Sequence, residues 1–279
     1  LEEAVRSTSY GSRPGRLKET RAPLDAYFSL ANAYRISNRL DSALNTYRFF
    51  QQLITESAAM ENQEFINQQI QACNIAREKM NTPINVRIQP LKEYINQGSV
   101  NDRPVVSYDG NTMAYTERRG LESVVYVTRR EGDSWGTPVD ITLEAGMGTD
   151  CHTTSLNNDG TELYLFKNDN FDGNIYVSRY VNGRWNQIEK LNRNINTRFY
   201  ESHATVSYDG KKLYFASNRE GGLGELDLWV SERDITGDWG IPSNLGNVVN
   251  TPYNEETPFI SADGATLTFS SEGHGSMGG

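Results

Sequence analysis

Seven acidic or imidazole side chains, Asp102, Asp150, His152, Glu201, His203, Glu255 and Glu256, fall in four short clusters spaced by about 50 residues. Carboxylates and imidazoles brought together can coordinate a metal ion or draw a cationic peptide into an electronegative funnel. Held apart, the same residues make a solvated rim whose polar groups tie neighbouring elements together. Which applies depends on the elements that carry them.

Two other stretches invite a chemical reading and lose it on inspection. In His274-Gly275-Ser276-Met277-Gly278 the first glycine of a Gly-x-Ser-x-Gly nucleophile elbow is missing, and no strand-to-helix context follows. The stretch aligns with Glu220-Gly221-Gly222-Leu223-Gly224 one unit earlier. Asn168-x-Asn170-x-Asp172-Gly173 has the front of a calcium loop, but position one lacks aspartate and position twelve is Arg179, not a bidentate glutamate. A hairpin turn is the expectation there. No catalytic, cofactor or metal residue is assigned, and the chain is read as a non-enzyme.

The positioning elements are repeats. Asp109-Gly110, Asp159-Gly160, Asp209-Gly210 and Asp263-Gly264 step by 50, 50 and 54 residues, and Trp135, Trp185 and Trp239 step by 50 and 54. Two markers at one period indicate repeated supersecondary units. An alternating segment follows each Asp-Gly, as in Leu163-Tyr164-Leu165-Phe166. A third apolar segment comes next, as in Ile175-Tyr176-Val177, and the tryptophan introduces a fourth. Four short strands per unit is the pattern of a β-propeller blade. Asp-Gly supplies the positive φ of a tight turn, and the tryptophan supplies surface for packing between blades. Leu-x4-Asn precedes three of the units, at Leu91/Asn96, Leu191/Asn196 and Leu245/Asn250. Equivalent positions of successive blades form a ring, so the seven residues are expected around one mouth of a central channel.

Residues 22–80 have helical periodicity. Leu24, Tyr27, Leu30, Ala31 and Tyr34 form one stripe, and Ala43, Tyr47 and Phe50 form another after a turn at Ser37-Asn38. Asp41 is placed to meet free amides at the second helix start. Residues 1–10 read as the tail of an earlier helix and 63–80 as a capping helix.

These patterns resemble known families. Tyr27-x2-Leu30-Ala31-x2-Tyr34 with Ala43-x3-Tyr47-x2-Phe50 resembles the tetratricopeptide repeat (TPR), with Ala31 and Tyr27 replacing the usual glycine and tryptophan. The pattern Ser-x-Asp-Gly-x-x-[Leu/Met]-x-[Phe/Tyr], the Ser217-Asn218-Arg219 turn and Asp227-Leu228-Trp229 resemble the WD40-like (PD40) repeat of TolB-type propellers. The order of the two resembles large periplasmic proteins of the OmpA family. That resemblance implies a periplasmic, outer-membrane-associated scaffold. Its partners would be proteins of an outer-membrane machine, such as type IX secretion or outer-membrane protein assembly, and peptidoglycan bound through an OmpA-like domain outside these residues.

The fold class expected is therefore α then all-β. It comprises a TPR-like helical domain over 1–80, a linker over 81–99 and a propeller of PD40 blades over 100–279. About three and a half blades are present, so the sequence reads as part of a longer protein. Within the linker, 84–91 (Ile84, Val86, Ile88) are expected to form a ring-closing strand. A net charge of −9 gives no basic surface for nucleic acid or anionic membranes. No run of apolar residues is long enough to span a bilayer. Cys73 and Cys151 read as two buried thiols, with a disulfide between them as the alternative. Two other functions stay open: a propeller gate of a prolyl-oligopeptidase-type peptidase, and a ligand or glycan sensor using the channel.

Overall fold

The computed structural model describes residues 1–6, 22–54, 59–91, 94–98, 100–169 and 172–275, with the backbone alone for 59–62. It separates into two compact units, Leu1–Arg87 with His274–Gly279, and Ile88–Gly273.

The first unit is helical: α1 (Glu2–Val5), α2 (Asp25–Ile36), α3 (Leu40–Leu53) and α4 (Ala59–Met80). The stripes read from the sequence face one another. Ala31 and Ala43 are fully buried, and these small side chains let α2 and α3 approach closely. Leu44, Tyr47 and Phe50 fill the core with Ile66 and Cys73 of α4. Asn38 takes the left-handed backbone (φ 58°) that ends α2, and the amide of Arg39 closes onto the Tyr34 carbonyl at 2.8 Å. Asp41 departs from expectation. It makes no cap hydrogen bond and instead pairs with Arg77 of α4. Residues 7–10 of the expected N-terminal helix lie outside the described residues.

The second unit is a succession of antiparallel sheets. The first contains β1 (Val100–Val106), β2 (Thr112–Arg119), β3 (Glu122–Glu131), β4 (Ser134–Trp135) and β5 (Val139–Asp140). The second contains β6 (Cys151–Leu156), β7 (Glu162–Asp169), β8 (Asp172–Val181), β9 (Arg184–Trp185) and β10 (Glu189–Lys190). The third runs β11 (Glu201–Val206), β12 (Lys212–Ser217), β13 (Asp227–Glu232) and β14 (Ser243–Asn244), and the fourth pairs β15 (Glu255–Ile260) with β16 (Leu267–Ser271). Two apolar cores lie between sheets. One joins Ala114, Val125 and Val127 of the first sheet to Leu156, Leu163, Leu165 and Trp185 of the second. The other joins Tyr164, Ile175 and Val177 to Val206, Phe215, Trp229 and Trp239. Trp185 and Trp239 thus pack between neighbouring sheets, as a repeat that cannot bury its own apolar face requires.

Three of the four Asp-Gly turns, the first, third and fourth, are built alike, and Asn157 replaces the serine in the second. At the third, the Ser207 hydroxyl donates to Asp209 at 2.6 Å and accepts from the amide of Lys212 at 2.9 Å, and Gly210 adopts φ 70°. Asn168 pairs with Gly173 and Asp169 with Asp172 across β7 and β8; Asn170 lies outside the described residues, as do Ser276–Gly278 of the elbow-like motif. Residues 83–91 carry no strand, and Ile84, Val86 and Ile88 are exposed. The expected closing strand is not formed in this structure. Among the described residues no helix is long and apolar enough to cross a membrane.

Candidate functional site

The first strands of the four sheets, β1, β6, β11 and β15, pack side by side in succession and line an open cavity of about 600 Å³. Each carries a bulge at the equivalent place: Asp102/Val105, Thr153/Ser155, Ser202/Thr205 and Glu256/Phe259. A bulge adds an unpaired residue and re-aims its side chain. Three bulge residues have left-handed backbone, Arg103 (φ 51°), His203 (48°) and Thr257 (50°). For a β-branched threonine that conformation is strained. The result is a ring of Arg103, Thr153, His203 and Thr257 lining the cavity, with the hydroxyl-bearing residues Thr154, Ser155 and Thr205 beside it.

That ring differs from the expected one. Glu201 and Glu255 are fully buried and belong to their own sheets. Glu201 accepts from the Thr197 amide (2.8 Å), the Thr197 hydroxyl (2.7 Å) and the Ser217 hydroxyl (2.9 Å), and it pairs with Arg219 at 3.2 Å. Glu255 repeats this with Thr251 and Ser271, without a cation among the described residues. Neither faces the channel. Asp102 pairs with Arg118 at 2.8 Å. His152 contacts Asp150 at 3.3 Å and stacks on Phe166; burial, then the nearby Arg103 cation, hold its pKa below the ordinary value. His203 is pushed down to about 4 by burial, Arg103 and His152, and its Nδ1 lies 2.9 Å from the Ser202 hydroxyl. Burial, then Glu272, raise the Glu256 carboxyl.

Of the seven residues, only His203 lines the cavity. In place of an electronegative funnel, the structure puts one guanidinium and several neutral donors there. Arg103 lies with its guanidinium carbon 5.9 Å from the Phe166 ring centre, and its Nη1 is buried with no hydrogen-bond partner. Sequence reasoning missed Arg103, Thr153 and Thr257. The signal was present: each stands six residues before its Asp-Gly aspartate, as His203 does.

The opposite end of the cavity is apolar. Tyr108 reaches across it, its hydroxyl 2.9 Å from the Val206 carbonyl and 2.8 Å from that of Ile260. Its ring stacks on Phe259 and meets Tyr208 edge-on, and burial pushes the phenol up to about 12. Among the described residues no group of three or more His, Cys, Asp or Glu is arranged to hold a metal. Cys73 and Cys151 are free and buried, and burial pushes the Cys151 thiol up to about 12.

No protein-family model matches the chain, and no curated protein matches it. Among solved structures it is similar to β-propeller proteins. A protein assigned as TolB from Agrobacterium tumefaciens is 20% identical with a TM-score of 0.46, the match covering 60% of this chain and 52% of that one. TolB from Acinetobacter baumannii is 20% identical with a TM-score of 0.42, over 59% and 36% of the two chains. A puromycin hydrolase matches at 9% identity and a TM-score of 0.33, over 68% and 38%. The matches span about half or less of those proteins' lengths.

Proposed function

We propose that this chain is a non-enzymatic, periplasmic interaction scaffold in which the cavity between the first strands is a docking site. The observation that carries this reading is the cavity itself. It is about 600 Å³, within the range of preformed binding sites, and its walls are fixed by strand bulges. Exposed Val106 and Phe259, with Tyr208 beside them, give it an apolar lip on which a partner can seat. The helical unit, read as tetratricopeptide-like, offers a second face. The resemblance to the OmpA family supports a place between an outer-membrane machine and peptidoglycan, held to the wall by an OmpA-like domain of the whole protein. The type IX secretion component PorE is the model for that arrangement, and outer-membrane protein assembly is the other system it fits.

The test is cross-linking and pull-down of the native protein from cells, with purified sacculi in parallel. Recovery of outer-membrane machine components and of sacculus-bound protein is expected. A native protein that ignores sacculi and cleaves a prolyl-peptide reporter would overturn the scaffold reading in favour of a peptidase gate. The ligand- or glycan-sensor reading draws on the same cavity and predicts small-molecule binding without protein partners.

A further inference from the structure

We infer that the cavity is a receptor for an apolar carboxylate, with Arg103 as the anchoring cation. The inference rests on the docking role proposed for the cavity and names the chemistry it recognises.

The acids near Arg103 are engaged or weakened: Asp102 is held by Arg118 and Asp150 lies against His152. Burial, then Glu272, raise the Glu256 carboxyl against the weaker pull of Arg103. Among the described residues Arg103 makes no salt bridge, and its buried Nη1 has no acceptor. Guanidinium hydrogens are obligate donors, and leaving them unpaired costs more than leaving a neutral group unpaired. The natural partner for such a planar fork is a carboxylate, bound by parallel N–H···O bonds.

The surroundings fit the same ligand. The hydroxyls of Thr154 and Ser155, both cavity-lining, are also buried without hydrogen-bond partners. His203 uses Nδ1 toward Ser202, leaving Nε2 for a ligand. Arg103, Thr154, Ser155 and His203, from the first three sheets, all line the cavity. Val105, Leu156 and Pro258 line the walls, and Tyr108 and Phe259 close the far end. A polar head at Arg103 and an apolar body toward Tyr108 matches the C-terminal residue of a peptide, or a small aryl or aliphatic acid. The left-handed φ of Arg103, His203 and Thr257 marks backbone held in place at the residues that would contact such a head.

Isothermal titration of the intact protein tests this with three probes: an N-acetylated pentapeptide ending in Leu-Val with a free carboxylate, the same peptide as its C-terminal amide, and 3-phenylpropanoate. The free acid is expected to bind about tenfold or more tighter than the amide, because only the acid pairs with the guanidinium. Arg103→Gln is expected to abolish that preference and Arg103→Lys to keep part of it, with near-UV circular dichroism reporting the fold. Binding of both acids identifies any apolar carboxylate as ligand, whereas binding of the peptide alone identifies a chain terminus. Equal binding of acid and amide, no binding of either acid, or an unchanged preference in Arg103→Gln overturns the inference. Should Arg103→Gln misfold, the acid–amide comparison on the wild-type protein still decides. Partner recovery in the pull-down with no carboxylate binding would overturn this inference and leave the scaffold reading standing.

Discussion

Glu201 shows how a residue that reads as chemistry can be architecture. A fully buried carboxylate is costly unless hydrogen bonds and a cation compensate it, and Thr197, Ser217 and Arg219 supply them. Removing it takes the carboxylate from the largely buried Arg219, which keeps only the Asn194 and Ile195 carbonyls and Ser217, so Glu201→Ala is expected to cost about 3 kcal/mol in urea unfolding. At Glu255 the position equivalent to Arg219 is Gly273. Glu255→Ala therefore strands no cation, and a cost of about 2 kcal/mol is expected. His203 gives a pH signature. Its folded-state pKa of about 4 lies below the ordinary value, so between those two values the unfolded chain binds a proton that the folded chain refuses. Its contribution to stability is intact above about pH 6.5 and is lost as pH falls toward 4. Between pH 7 and 5 the loss should be about 2 kcal/mol, and His203→Asn, which tolerates the left-handed backbone, should remove it. Urea midpoints at the two pH values measure both.

At the scale of the element, the Leu-x4-Asn motif proves to be a clamp. Asn196 accepts from the Ile175 amide (2.7 Å) and donates to the Ile175 carbonyl (2.8 Å) and to Leu191 (3.0 Å). It thereby takes the place of a neighbouring strand for one residue of β8. Asn250 does the same for Leu228 of β13. Because Ile175 is buried and its carbonyl keeps the Leu191 amide at 3.1 Å, Asn196→Ala leaves only the Ile175 amide unpaired, and about 2 kcal/mol of destabilisation is expected. Asn96 is exposed and holds the Leu91 carbonyl at 3.0 Å, so Asn96→Ala should cost less than about 1 kcal/mol. Equal losses in chemical denaturation would refute the clamp. The motif spacing was legible in the sequence, but not its mechanism. An asparagine that mimics a strand edge is recognisable only once the strand it satisfies is in place.

For the whole molecule, the two units have separate cores, Ala31, Ala43, Tyr47 and Ile66 in one and the inter-sheet clusters in the other. Separate cores predict separate transitions. All four tryptophans lie in the β unit, so their fluorescence follows that unit, whereas ellipticity at 222 nm is dominated by the helices. In urea the two signals are expected to move at different concentrations; superimposed curves would show that the units unfold as one. Cys73 and Cys151, one in each buried core, provide a site-resolved check through thiol labelling along the same titration.

The sequence by itself determined the period, the Asp-Gly turns, the strands and the helical stripes. Each follows from local chemistry: a left-handed glycine, an alternation of two, a stripe at helical spacing. It also carried the position of the cavity ring, six residues before each aspartate. Only the tertiary structure decided which way the residues of that segment face. A one-residue bulge turns Arg103, Thr153, His203 and Thr257 inward and leaves Glu201 and Glu255 within their own sheets. In a strand, side chains alternate faces, so a single inserted residue exchanges the inside and outside of everything around it. That local irregularity put a guanidinium in the cavity, where the funnel reading had placed carboxylates. The pattern of residue types does not reveal it, because the bulge becomes fixed only when four first strands meet around a common cavity.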